Sequence, residues 1–127
     1  MYQEEETMQF LMLTYVGEAG SEAYERQTED ARQAGRMEHV AWFQQNGSAI
    51  KGGHELAWPR RVGRIGSDRQ MTFLDGPFAE TKEALGGVII LNAATLEEAT
   101  RIASGWPSLE MYPGARVEVI PVTEDGR

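Results

Sequence analysis

The sequence feature that most constrains the fold is the stretch over residues 75–87, where rigid turn residues lead into an apolar run. Gly76 can adopt a positive φ and Pro77 fixes its own φ, while a residue before proline is disfavoured in the helical region. The pair Gly86 and Gly87 then allows another backbone or a ligand to approach closely. This order predicts a tight turn followed by a strand in the core of a sheet.

The same stretch carries candidate polar groups. Asp75 follows a predicted strand, and a tight turn can orient its carboxylate as a general acid or base requires. In the alternative, this carboxylate bonds the amides of its own turn. We expect Phe78 to hold the turn by apolar contact. Glu80, Lys82 and Glu83 are candidates for binding a polar substrate, although an exposed charged turn would have the same composition.

Two histidines are the usual candidates for proton transfer near neutral pH. His39 lies beside the apolar face of a predicted helix, so a structural or exposed role is the plainer interpretation. His54 follows a glycine pair, where a side chain can face a cleft. Either histidine could pair with Asp75. A metal site drawn from these three residues and Glu55 would lack the spacing typical of metal ligands, so no metal or cofactor is predicted.

A resemblance to a known family covers most of the chain. The motif Asp-Gly-Pro-Phe-Ala-Glu-Thr-Lys-Glu at residues 75–83, with Leu-Gly-Gly at 85–87, resembles the signature of DGPF-type proteins within the YCII-related family, which are small bacterial proteins. The resemblance implies one domain over residues 1–127, with a dimeric ferredoxin-like α+β barrel fold. Three further segments are similar to the family: residues 8–15, residues 52–59 ending in Leu-Ala-x-Pro, and residues 117–122.

The resemblance also suggests a site and a function. The wider family is associated with a histidine and aspartate pair in a cleft, and His39 is the position most similar to that helical histidine, with His54 as its competitor for Asp75. We take the turn residues Gly76, Pro77 and Phe78 as further substrate-binding candidates. The implied function is a cofactor-free enzyme for proton transfer, isomerisation or elimination on a small molecule. The alternative is a small-molecule-binding or regulatory protein linked to sigma-factor signalling.

Composition excludes several classes of function. The net charge of −8, from 12 basic and 20 acidic residues, repels phosphate backbones and anionic lipids, so neither nucleic acid nor membrane is expected as a partner. The absence of cysteine removes disulfides, thiolate metal sites and a cysteine nucleophile. No apolar run approaches the roughly 20 residues that span a bilayer, and the acidic start does not resemble a signal peptide. A cytoplasmic location is therefore predicted.

The hydrophobic pattern predicts the order β-α-β-β-α-β with an inserted hairpin, which is typical of the split βαβ fold. Residues 8–16 are apolar on both faces, so we expect a central strand. We predict a loop at residues 17–20 and one long helix that is capped by Ser21 and ends near Gln45. Further strands are expected at residues 48–58, 61–65, 70–74, 87–93 and 115–122.

Each helix has a predicted buried stripe. The second half of the long helix offers Met37, Val40 and Ala41, widened by Trp42 and Phe43. The later helix begins with a capping box of Thr95 and Glu98, and its predicted stripe comprises Leu96, Ala99, Ile102 and Ala103. Two helices on one face of a four-stranded sheet leave the other face uncovered, and an uncovered apolar face predicts a homodimer.

Overall fold

The computed structural model describes residues 6–78 and 82–123, and its elements follow the predicted order. The ferredoxin-like α+β class is confirmed, with an antiparallel sheet and its helices alternating along the chain. No helix in the part of the chain that the structure describes is long and apolar enough to cross a membrane. The elements are β1 (Met8–Gly17), α1 (Glu18–Arg26), α2 (Glu29–Gln45), β2 (Ile50–Glu55), β3 (Arg61–Ile65), β4 (Met71–Asp75), β5 (Glu83–Ala93), α3 (Leu96–Ala103), α4 (Ser108–Met111) and β6 (Arg116–Pro121).

The main sheet has four antiparallel strands in the order β2-β5-β1-β6. The strand β1 is therefore central, as its two apolar faces predicted. The strand β6 is at an edge, where Pro121 removes no ladder hydrogen bond that the sheet requires. The strands β3 and β4 form a separate two-stranded sheet, which is the predicted hairpin.

One face of the sheet forms the core. Phe10 and Met12 on β1 are buried together with Leu91 on β5, because alternate residues of a strand point to the same side. The helices cover this face through Trp42 on α2 and Ala99 on α3. Val117 and Val119 on β6 are half-buried against the same core.

The prediction of one long helix from Ser21 was wrong. The chain forms two helices, and α1 already begins at Glu18, within the residues predicted as a loop. The break between them falls before α2, where the Thr28 side chain accepts a hydrogen bond from the amide of Ala31 at 3.1 Å. A threonine at this position satisfies an amide that the first turn of a helix leaves unpaired, and this favours a new helix start. The predicted end at Gln45 is confirmed.

The predicted apolar stripe of α2 was also wrong in detail. Met37, Val40 and Phe43 are exposed, whereas Trp42 and Gly35 are the buried residues of this helix. Gly35 is buried because Met111 of α4 packs on it, and a Cβ added there would lie 2.6 Å from the Met111 Cε. The face of α2 that packs against the rest of the protein therefore contains Gly35 and Trp42. On α3, Ala99 and Ala103 are buried as predicted, Ile102 is half-buried and Leu96 is exposed.

The N-cap hydrogen bond of the capping box predicted at α3 is confirmed. The amide of Glu98 donates to the Thr95 hydroxyl at 3.1 Å. The Glu98 carboxylate accepts from the amide of Ala94 at 3.1 Å, one residue before the position expected for a capping box.

We name the opposite face of the sheet the open face, because no helix within residues 6–78 and 82–123 packs on it. Its central residues are apolar and half-buried, and strand register arranges them in rows of directly opposed neighbours. Two of the rows carry a charged or titratable residue at an edge strand. The rows are Gly52, Ile90, Leu11 and Ile120; then His54, Val88, Leu13 and Glu118; then Leu85, Tyr15 and Arg116.

Candidate functional site

The motif turn is held by its backbone. Gly76 has a φ of 84°, so the positive φ predicted for this glycine is confirmed. Its amide donates to the carbonyl of Arg60 at 2.9 Å, which ties the residue after β4 to the residue before β3. A Cβ at Gly76 would meet no atom of the described residues within 4 Å, so the positive φ is the observed reason for glycine here. The turn thus closes the base of the hairpin.

Two aromatic rings and an arginine meet at this base. The rings of Trp58 and Phe78 pack edge to face with centroids 5.4 Å apart, so Phe78 makes the apolar contact predicted for it. The guanidinium carbon of Arg60 lies 5.3 Å from the centroid of the Trp58 ring. The Arg60 Nη1 atom is buried and has no hydrogen-bond partner within residues 6–78 and 82–123. We name this cluster of three side chains the turn site.

Asp75 lies at the edge of the turn site. Its side chain is 84% exposed and its carboxylate Oδ1 lies 3.2 Å from the Nε of Arg61. Arg61 is the residue directly opposite in the hairpin register. An ion pair this exposed contributes little to stability, so the Asp75 carboxylate remains accessible to water and to a small ligand.

His39 lies on the helical side of the molecule. Its Nδ1 is 2.8 Å from the carbonyl oxygen of Gly35, and its Nε2 is 2.8 Å from the hydroxyl of Ser108. Its ring packs edge to face on Trp106 with centroids 4.7 Å apart. Both nitrogens are therefore engaged with the chain itself, and no contact among the described residues joins His39 to Asp75.

His54 lies on β2 at the edge of the open face. It is exposed and stands opposite Val88 in the register. No contact among the described residues joins His54 to Asp75. Neither of the two predicted histidine–aspartate pairs is therefore formed within one copy of the chain.

Glu83 belongs to a charged cluster at the other edge of the sheet. Its carboxylate accepts two hydrogen bonds from the guanidinium of Arg116, one of them from Nε at 2.9 Å. The Nη1 of Arg116 also lies 2.8 Å from Glu118, and the guanidinium covers the ring of Tyr15 at 4.2 Å. The hydrogen bond from Arg116 lowers the pKa of Glu83. Hydrogen bonds from Tyr15 and then Arg116 lower the pKa of Glu118, and the bond to Glu118 raises the pKa of Tyr15.

Lys82 lies in a shallow cleft of about 310 Å³ beside the start of α1. Its Nζ is 3.7 Å from the Glu18 carboxylate, and Glu22 lines the same cleft. Neither histidine lines this cleft, nor does Asp75. Acidic lining makes it a poor place for an anion.

The glycine pair after the motif serves the sheet. The register of β1 against β5 shifts at this point, and the hydroxyl of Thr14 donates to the carbonyl of Gly87 at 3.4 Å. A Cβ at Gly86 would lie 2.9 Å from the Val16 Cγ2, and one at Gly87 would lie 3.2 Å from the carbonyl oxygen of His54. The close approach predicted for this pair is thus an approach of neighbouring strands.

The predicted site residues therefore separate into distinct places. Asp75, Gly76, Pro77 and Phe78 stay together at the motif turn, whereas Lys82 and Glu83 belong to the cleft and the charged cluster. Glu80 lies outside the described residues. No group of metal-binding side chains occurs within residues 6–78 and 82–123.

The sequence interpretation missed Trp58 and Arg60. The available signal was an aromatic residue and a cation on either side of Pro59, directly before a predicted strand. Such a pattern is too common to indicate a site by itself, and only the return of the chain at Gly76 brings Phe78 beside it.

The fold and the turn site define a ferredoxin-like α+β protein organised around its Asp-Gly-Pro-Phe turn. The chain belongs to the YCII-related domain family, whose model matches residues 8–123. A solved structure similar in fold is 5-chloro-2-hydroxyhydroquinone dehydrochlorinase from Burkholderia phenoliruptrix in complex with 2,5-dihydroxybenzoquinone, with 16% identity and a TM-score of 0.47 over 94% of this chain and 100% of that chain. No curated protein matches the sequence significantly.

Proposed function

We propose that this protein binds a small, planar, anionic molecule at the turn site and acts on it by proton transfer without a cofactor. The observation that carries the proposal is the buried Nη1 of Arg60, which lacks a hydrogen-bond partner among the residues that the structure describes. The two aromatic rings next to it supply apolar surface for a flat ligand. Charge, hydrogen-bond donor and aromatic surface meet here in one place.

The Nη1 of Arg60, which has no acceptor among the described residues, carries a cost in free energy. A buried donor without an acceptor costs about 1–3 kcal/mol, and more when the group is charged. A carboxylate or enolate oxygen would satisfy this donor through a charge-assisted hydrogen bond. A ligand that brings such an oxygen to Arg60 recovers that cost, so the site favours anions although the chain as a whole is acidic.

Ring geometry favours a planar ligand body. Trp58 and Phe78 are nearly perpendicular, at 72°, so they present one ring face and one ring edge. Aromatic ligands pair with both arrangements through offset or edge-to-face contacts. An aromatic or conjugated carboxylate therefore fits the chemistry of the turn site better than an aliphatic one.

Asp75 is the proposed proton acceptor. It directly precedes the fixed turn and its carboxylate is accessible, so a ligand held by Arg60 can present a C–H or O–H group to it. For His39 we propose a structural role, since both of its nitrogens are bonded within the fold. His54 can reach a turn site only as part of a larger assembly, because it lies on the open face.

We further propose that the protein is a homodimer in which two copies cover each other's open faces. The apolar centre of that face includes Leu11, Leu13 and Ile90, and its β6 edge carries both signs of charge through Arg116 and Glu118. In a dimer with a two-fold axis, this edge of one copy lies against the same edge of the other copy. Opposite charges can then face each other, which is favourable. Sedimentation velocity at micromolar concentration should show a dimer, and a monomeric wild-type protein would contradict it.

Binding is tested first, with three probes of the proposed chemistry: benzoate, salicylate and phenylpyruvate. Isothermal titration should show saturable binding to the wild type and a loss of at least about tenfold in affinity for Arg60→Gln. Arg101→Gln is the matched control, since it removes the same charge from an exposed position on α3. Equal binding by the wild type and Arg60→Gln would overturn the assignment of the turn site.

Proton transfer is tested with phenylpyruvate, whose C3 protons exchange with deuterium through its enol. The wild type should accelerate this exchange at neutral pH. Asp75→Asn should bind the probe within about twofold of the wild type but lose most of the acceleration. Unchanged exchange in Asp75→Asn, with binding intact, would remove Asp75 as the base and favour a protein that only binds its ligand.

A further inference from the structure

We infer that the hairpin of β3 and β4, which we name the hairpin arm, docks through its apolar face on a second copy of this chain. The register places Gly63 opposite Phe73 and Ile65 opposite Met71, all on one face of the arm. Ile65, Met71 and Phe73 are 67%, 68% and 57% exposed. They form an apolar surface that no helix or strand among the described residues covers, and the guanidinium of Arg61, on the same face, lies 4.8 Å from the centroid of the Phe73 ring.

The arm needs a partner for its own stability. Its strands pair only with each other, in a sheet separate from the four-stranded one. A two-stranded hairpin is marginally stable in water unless a third strand or another surface packs on it. Contiguous exposed apolar surface of this kind marks an interaction site in soluble proteins. Docking of the arm buries three large side chains and breaks no backbone hydrogen bond.

Charge indicates that the partner is a second copy. Residues 60–75 contain four arginines and two aspartates, a net charge of +2, so the remainder of this −8 chain carries −10. The arm is therefore the basic part of an acidic protein. Opposite charge favours its approach to the body of another copy and disfavours an arm-to-arm contact.

Interface size supports the same partner. The rows of the open face span up to four strands and about five residues of each, which is a footprint of about 19 Å by 17 Å, or roughly 320 Å². Stable dimers bury about 800 Å² of accessible surface on each partner. Because side chains project from the sheet, the accessible surface of the open face is larger than this flat footprint. The two hairpin arms of a dimer supply a second contact region.

The arm leads directly into the turn site. Arg60 precedes β3 and Asp75 ends β4, and the hydrogen bond from the Gly76 amide to the Arg60 carbonyl fastens both at the base. A second copy that holds the arm therefore also fixes the residues of the turn site. The inference rests on the proposed function only in requiring a second copy, and it does not depend on the ligand.

The test uses the absence of cysteine from the chain. A nitroxide spin label is attached to the Ser67→Cys variant at the tip of the arm. This spin-labelled protein, at natural isotope abundance, is mixed with ¹⁵N-labelled wild type. Any broadening of the ¹⁵N-labelled amides then arises between copies. Docking predicts broadening confined to one region of the partner. A dimer without intermolecular broadening would overturn the inference while leaving the dimer intact, and a monomer would overturn both.

A second measurement compares two added charges on opposite faces of the arm. Met71→Lys places a lysine on the apolar face, and Thr72→Lys places one on the other face. Met71→Lys should raise the dimer dissociation constant at least about tenfold, since a charge would then be buried. Thr72→Lys should leave it within about twofold. Equal effects of the two substitutions would show that the apolar face does not dock.

Discussion

The imidazole of His39 and the hydroxyl of Ser108 are joined by a hydrogen bond of 2.8 Å between Nε2 and Oγ, which links α2 to α4 across 69 residues of sequence. The direction of the bond follows from the other ring nitrogen. Nδ1 lies 2.8 Å from the Gly35 carbonyl, which only accepts, so Nδ1 carries the proton and in the neutral ring Nε2 accepts from Ser108. The histidine thus fixes α4 on α2.

Replacement of His39 by leucine should lower the free energy of unfolding by about 1–3 kcal/mol, because Ser108 and the Gly35 carbonyl lose their partner in a half-buried place. Gln44→Leu on the same helix is the control and should change it by no more than about 0.5 kcal/mol, since Gln44 is exposed. Urea denaturation measures both. Equal effects of the two substitutions would show that the contacts of His39 do not contribute to stability.

Gly76→Val should destabilise the protein by about 1–3 kcal/mol, because valine must adopt the positive φ of 84° at this turn. Gly76→Asn should cost less, since asparagine tolerates that region of backbone space better than other residues with a side chain. There is open space around the position, so a steric clash does not contribute. Urea midpoints of the two variants give the comparison, and a valine variant as stable as the asparagine variant would contradict the backbone argument.

Arg69→Gly should stabilise the protein by about 0.5–1 kcal/mol. Arg69 has a φ of 68° at the tip of the hairpin arm, a conformation that costs a residue with a side chain about 1–2 kcal/mol. Glycine removes this strain, but it also increases the conformational entropy of the unfolded chain, which offsets part of the gain in stability. Arg69→Ala keeps the Cβ and should give no such gain, so thermal denaturation of the two variants separates backbone strain from the loss of charge.

The cluster of Tyr15, Glu83, Arg116 and Glu118 should make stability depend on pH below the ordinary glutamate pKa of about 4.3. The fold lowers the pKa of both glutamates. Their contribution to the free energy of unfolding is therefore present above the ordinary glutamate pKa and is lost as pH falls through the lower pKa values of the folded state. Glu118→Gln should therefore reduce the urea midpoint at pH 7. The difference from the wild type should shrink below about pH 4, and a constant difference across this range would exclude the linkage.

The raised pKa of Tyr15 acts at the opposite end of the scale. Its hydroxyl donates to Glu118, so the fold favours the neutral phenol. That contribution is fully present below the ordinary tyrosine pKa of about 10 and is lost as pH rises through the higher folded value. Tyr15→Phe should accordingly show its stability difference near neutral pH and lose it at high pH, when midpoints are compared at about pH 7 and pH 11.

Local chemistry made several elements predictable. The Gly76-Pro77 turn, the capping box of Thr95 and the end of α2 near Gln45 each depend on residues within a few positions of one another. The helix break was missed although its signal is also local, because Ser21 and Thr28 are equally plausible caps until packing chooses between them.

The sequence by itself determined the order of elements, the central place of β1 through its two apolar faces and the sharp turn at Gly76, since backbone preference and hydrophobic period act over short distances. Only the tertiary structure decided that Trp58, with Arg60 over its ring, packs on Phe78, and that His39 is bonded to Ser108 and not to Asp75. These contacts join segments that are distant in sequence. Their distances follow from how the hairpin closes and how the helices pack, and no local pattern of residues specifies that geometry.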